Sequence, residues 1–98
     1  MITKRVVIDQ REITASGIIQ VRFRKEIVED GVVLSFEYHR TSLRPGDDLD
    51  KQMEWVNNHL QQMGFPAAEG VESIRRIMQL EHTREAIASF KAAQRSLT

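Results

Sequence analysis

Residues 17–50, GIIQVRFRKEIVEDGVVLSFEYHRTSLRPGDDLD, decide the fold. Two alternating runs flank Asp30-Gly31, a pair that tolerates the positive φ values a two-residue hairpin turn demands. Centred on that turn, the register sets Glu29 opposite Val32, Ile27 opposite Leu34, Lys25 opposite Phe36 and Phe23 opposite Tyr38. Side chains alternate with period two, so Val21, Phe23, Ile27, Leu34, Phe36 and Tyr38 are expected to share one buried face. The opposite face then carries Arg22, Arg24, Glu26, Ser35, Glu37 and His39, with Arg24 across from Glu37 as an opposite-charge pair. A slip of one residue would turn a whole strand over, so burial of one face specifies the register.

Upstream, residues 4–9 (KRVVID) are rich in β-branched side chains and read as a first strand that can run on to Ile13. Ala15-Ser16-Gly17 turns it into the hairpin and makes a three-stranded meander. Pairing Ile13 with Ile19 sets Asp9 against Phe23, which predicts a bulge within residues 9–12. Downstream, Pro45-Gly46 reverses the chain, and Asp47, Asp48 and Asp50 crowd the start of a helix, where carboxylates cap free N–H groups. Leu49, Met53, Val56, Leu60 and Met63 form an apolar seam along that helix. Such a seam serves most often to cover a sheet face. Trp55 falls off the seam and is expected over the sheet edge or against a neighbouring subunit. Gly64, Phe65 and Pro66 end the helix.

Val71, Ile74, Ile77 and Met78 mark a second helix after a short linker, residues 67–70. Thr83 is placed to cap a third, carried by Ala86, Ile87, Phe90 and Leu97. The expected fold class is α+β, an N-terminal antiparallel hairpin or meander followed by two to three helices. It forms a single domain over residues 1–98, with the sheet in 1–46 and the helical part in 47–98.

Basic and acidic side chains balance at 14 each, with no cysteine. Residues 1–46 hold eight Lys/Arg against six Asp/Glu, and residues 47–98 hold six against eight, which suits an intramolecular or head-to-tail fit better than a nucleic-acid footprint. Residues 1–10 lack the apolar run of a signal peptide, and no segment approaches the ~18 apolar residues of a membrane span. The expectation is a soluble chain without export signal or membrane contact. His39, His59 and His82 fall on three different elements, so neither a metal nor a cofactor is expected, and no catalytic residue is selected. The aspartates at 47, 48 and 50 do not complete a calcium loop, because His59 stands where a bidentate Glu is needed.

Arg22, Arg24 and His39 give the predicted wet face a positive tilt that could dock an acidic partner; a solvated face with local ion pairs is the plainer reading. Phe36 and Tyr38 could stack bases, but on this register they belong to the core. His39-Arg40 beside the acidic corner reads as a local ion-pair network.

Several short pieces resemble a family of small proteins encoded among the tail and tail-fibre genes of tailed bacteriophages and prophages. They are Ile19-Gln20-Val21-Arg22, Val28-Glu29-Asp30-Gly31, Tyr38-His39-Arg40 and Pro45-Gly46-Asp47-Asp48, with residues 82–93, HTREAIASFKAA, at the far end. Together they span about three-quarters of the chain. Where family members commonly carry Trp-Thr-Pro-Glu, this chain has His82-Thr83-Arg84-Glu85. The resemblance implies a non-enzymatic virion protein of the tail, made in the host cytoplasm. Its implied partners are copies of itself or a tail or baseplate protein, and not nucleic acid. Arg22, Arg24, His39, Arg40 and Trp55 are the candidate partner-binding residues. The alternative is a free intracellular assembly factor or adaptor that binds through the helix of residues 49–63.

Overall fold

A computed structural model describes residues 1–96. Three strands, β1 (Ile2–Ile13), β2 (Ile19–Glu29) and β3 (Val32–Leu43), form an antiparallel sheet in the order β1-β2-β3. Three helices follow, α1 (Leu49–Gln62), α2 (Val71–Glu81) and α3 (Arg84–Ser96). The fold is α+β, as the sequence predicts. The Leu97 position expected on the third helix lies outside the described residues.

The turn residues Asp30 and Gly31 have φ of 49° and 82°, both in the left-handed region that an Asp-Gly hairpin turn uses. Ile13 pairs with Ile19, and the β1 ladder shifts by one between Ile8 and Gln10, so Asp9 is the extra residue of the expected bulge.

A second bulge was not expected, and it overturns the predicted faces of β3. Glu29 pairs with Val32 and Val28 with Val33, but Ile27 then pairs with Ser35, passing over Leu34. Beyond that point Lys25 faces Glu37, Arg24 faces Tyr38 and Phe23 faces His39. Arg24 and Glu37 are therefore not partners; Lys25 Nζ lies 3.5 Å from Glu37 instead. Leu34, Phe36 and Tyr38 leave the core for the surface, with 53, 47 and 40 % of their area exposed. His39 in turn leaves the arginine face for the helix-covered one, 6.3 Å from the Phe23 ring.

The physical reason lies further along the strand. Without the bulge, Val21 and Ile19 would meet Arg40 and Ser42. With it they meet Thr41 and Leu43, and Leu43 is buried in the core. Burying a guanidinium without a partner costs far more than exposing part of two aromatic rings.

Helix α1 crosses the inner face of the sheet. Its seam residues Leu49, Met53, Val56 and Leu60 pack with Val6, Ile19, Val21, Phe23 and Leu43, and Ile74 of α2 completes the cluster. Each such side chain, fully buried, contributes roughly 1.5–3 kcal/mol. Met63 stays 42 % exposed, beside Lys25 Nζ at 3.7 Å. The termini of α1 follow the sequence: the Asp48 carboxylate accepts from the N–H groups of Asp50 and Lys51 at 2.9 and 3.2 Å. At the other end Phe65 N–H donates to Leu60 O and Gly64 N–H to Gln61 O, a Schellman pair with Gly64 at φ 85°. Thr83 caps α3 through Ala86 N–H. His82, which stands where the resembling family has Trp, donates from Nε2 to Gly17 O at 2.7 Å and ties the end of α2 to the β1–β2 turn.

Candidate functional site

All the buried helix residues meet one face of the sheet, and among the described residues the other face carries no helix. That outer face is built from alternate residues of the strands: Arg5 on β1, Arg22, Arg24 and Glu26 on β2, Phe36, Tyr38 and Arg40 on β3. The bulge at Leu34 brings arginines and aromatic rings together there. The Arg24 guanidinium lies 4.0 Å from the Phe36 ring centre, and that of Arg22 lies 4.2 Å from the Tyr38 ring centre. Arg40 approaches the same Tyr38 ring at 5.7 Å, and Phe36 meets Tyr38 edge-on with centroids 5.5 Å apart. The five side chains Arg24, Phe36, Tyr38, Arg22 and Arg40 thus form a ladder across β2 and β3.

Three of the four guanidinium groups on this face have a carboxylate neighbour. Glu26, 4 % exposed, receives Arg5 Nε at 2.5 Å and sits 3.0 Å from Arg24 Nε. The second contact lacks hydrogen-bond alignment, since buried Arg24 Nε has no hydrogen-bond acceptor among the described residues. Arg22 is held by Asp9, the bulged residue of β1. Arg40 has no carboxylate partner among the described residues. It lines a shallow polar groove of about 370 Å³ with Arg22, Gln10, Glu12, Gln20 and Ser42. The expected ion-pair network of His39 and Arg40 with the acidic corner does not form; Arg44 takes that role, with Nε 3.6 Å from Asp47 Oδ2 and its backbone N–H donating to the same oxygen at 2.8 Å.

On the inner side, the rim of β3 carries a second aromatic group. Trp55 of α1, 60 % exposed, stacks on His59 at 5.9 Å and lies 6.5 Å from His39. It is off the helix seam and over the sheet edge, one of the two places the sequence allows. The rings of His39 and His59 are 5.2 Å apart. Burial, aided by the positive charge of His59 and Lys25, holds His39 below its ordinary pKa of 6.5. Among the described residues no group of three or more His, Cys, Asp or Glu side chains is placed to hold a metal ion, and no helix is long and apolar enough to cross a membrane.

Of the five candidate contact residues, Arg22, Arg24 and Arg40 share the outer face, whereas His39 and Trp55 lie together on the inner side of the β3 rim. Phe36 and Tyr38 were missing from that set because the unbulged register buries them. The signal that recovers them is the polarity of Arg40 and Ser42, which cannot sit opposite Val21 and Ile19. No family model, no curated protein and no solved structure matches the chain.

Proposed function

We propose that the protein is a non-enzymatic structural or accessory subunit of a tailed-phage particle, tail-associated, and acting through protein–protein contacts. Its partners on this reading are other copies of the chain or a tail or baseplate protein, with synthesis in the host cytoplasm and a final place in the virion. The observation that carries a contact role is the outer face of the sheet, a ladder of Arg24, Phe36, Tyr38, Arg22 and Arg40 with no helix over it. Arginine and aromatic side chains are the types enriched at the centres of protein interfaces. The phage context rests on the family resemblance of the Val28–Gly31, Tyr38–Arg40 and Pro45–Asp48 pieces.

An adaptor binding through the seam of α1 is disfavoured by packing, because Leu49, Met53, Val56 and Leu60 are already consumed by the sheet. Single-strand nucleic-acid binding is disfavoured by charge, because Arg22 and Arg24 have acidic neighbours in Asp9 and Glu26. Purified particles analysed by quantitative mass spectrometry test the proposal. The chain is expected at a fixed copy number relative to the major tail protein, and Arg40→Glu, at a residue with no carboxylate partner among the described residues, is expected to lower that number while the variant stays folded. Absence of the unmodified chain from intact particles refutes a virion role.

A further inference from the structure

The two outer strands of the sheet differ in how they are protected. Val6 of β1 accepts a backbone hydrogen bond from Glu69 N–H at 2.9 Å. Asp9 bulges out of the same strand, and Lys4, Arg5, Arg11 and Glu12 charge its length. Bulges, charges and covering segments are the usual ways a strand edge is kept from pairing. On β3, by contrast, residues 35–41 run without a bulge or proline and receive no backbone hydrogen bond from outside the sheet among the described residues, although Glu37 and Arg40 place charge on this strand too. In an antiparallel ladder every second residue of such a strand turns its N–H and C=O toward the open side.

We infer that β3 pairs with β3 of a second copy of this chain, antiparallel about a two-fold axis at Tyr38, to give a continuous six-stranded sheet. The inference rests on the contact role proposed above and names its partner.

Three observations favour a second copy over an unrelated strand. The first is complementarity. A two-fold axis through Tyr38 sets Phe36 opposite Arg40 of the second copy, and Glu37 opposite its His39. Arg40, which has no carboxylate partner among the described residues and only the Tyr38 ring at 5.7 Å, would then lie between two aromatic rings. The neighbouring choices are worse: an axis at His39 opposes two imidazoles, and an axis at Glu37 opposes two carboxylates.

The second observation is that exposed aromatic groups flank this edge on both sides of the sheet, Phe36 and Tyr38 outside and Trp55 inside. With 47, 40 and 60 % of their areas exposed, they offer on the order of 300 Å² of aromatic surface per copy. A stable dimer needs roughly 800 Å² per partner, so pairing of the strand and its charged side chains has to supply the rest. The third is symmetry: an isologous contact closes on itself and leaves both outer faces of the doubled sheet on one side, available to a further partner.

The test uses the whole chain, which has no cysteine of its own. Sedimentation velocity at tens of micromolar is expected to give a dimer of two 11.3 kDa chains. Trp55→Ala, at a residue outside the core, is expected to weaken the dimer about tenfold or more with the circular dichroism unchanged. Tyr38→Cys is expected to oxidise to a covalent homodimer, since residues directly opposite on paired strands lie about 5 Å apart. Arg11→Cys on β1 is expected to remain a single chain under the same conditions. A monomer at about 100 µM overturns the inference, as does a dimer that cross-links through Arg11→Cys and not through Tyr38→Cys. The virion role is read separately: a dimer missing from particles removes that role and keeps the pairing, and a monomer present in particles does the reverse.

Discussion

Leu43→Ala and Leu34→Ala, made separately, measure which face of β3 is buried. Leu43 is 1 % exposed and belongs to the core cluster with Ile19, its cross-strand partner. Truncation to alanine removes three carbons, which at ~0.8 kcal/mol each is about 2.4 kcal/mol of lost transfer energy. The cavity left under α1 adds to that, so the loss is expected at about 3 kcal/mol. For a chain of this size a loss of that order lowers the melting temperature by roughly 12–24 °C. Leu34 is the bulged residue and is 53 % exposed. Its truncation is expected to cost no more than about 0.5–1 kcal/mol, a shift of a few degrees. Urea titrations followed by circular dichroism give both values on one scale, and the slopes report whether either variant alters the unfolding reaction. If Leu34→Ala proves the costly change and Leu43→Ala the mild one, the bulge is misplaced and β3 faces the other way.

Other outcomes follow from the same geometry. Glu26→Ala removes the carboxylate between Arg5 and Arg24 and leaves buried Arg24 Nε without its ion-pair partner. Because both guanidinium groups are partly exposed, the cost is expected at about 2 kcal/mol in urea unfolding, below that of a fully buried pair. Asp48→Ala removes the acceptor for two N–H groups at the start of α1 and is expected to cost about 1 kcal/mol, read as a lower thermal midpoint. The lowered pKa of His39 makes the unfolded chain take up that proton first as pH falls. Its contribution to stability is therefore unchanged well above pH 6.5 and declines as pH drops below that value. His39→Gln is expected to flatten this part of the stability profile between pH 7.5 and pH 5, measured by denaturant midpoints at about half-unit intervals.

Much of this fold is legible in the sequence because its signals are local. Asp30-Gly31 forces a turn, Asp48 caps, Gly64 with Phe65 terminates, and the Leu49-to-Leu60 seam takes the commonest use of such a seam, covering the sheet. The β1 bulge at Asp9 was legible for a different reason: pairing Ile13 with Ile19 left a charged residue facing Phe23. The β3 bulge yields to the same test, applied nine residues from the turn instead of at it, where Arg40 would have met Val21. Reading outward from the turn favours Leu34, Phe36 and Tyr38 as core because they are the nearest apolar side chains. Long-range packing of Leu43 against Ile19 under α1 outweighs that local pattern, and cation–π contacts lower the cost of leaving the rings outside. Of the candidate contact residues, sequence reading put Arg22 and Arg24 on one face, but it could not place Phe36 and Tyr38 beside them while those rings were assigned to the interior.

The ladder on the outer face and the pairing of β3 both depend on where Phe36, Tyr38 and Arg40 point, so the register between β2 and β3 is the quantity to measure. Nuclear Overhauser contacts across the two strands, on the isotopically labelled full chain, read it directly. Cross-strand contacts are expected to join Phe23 to His39 and Val21 to Thr41, with Leu34 unpaired. Contacts joining Phe23 to Tyr38 and Val21 to Arg40 would contradict that register.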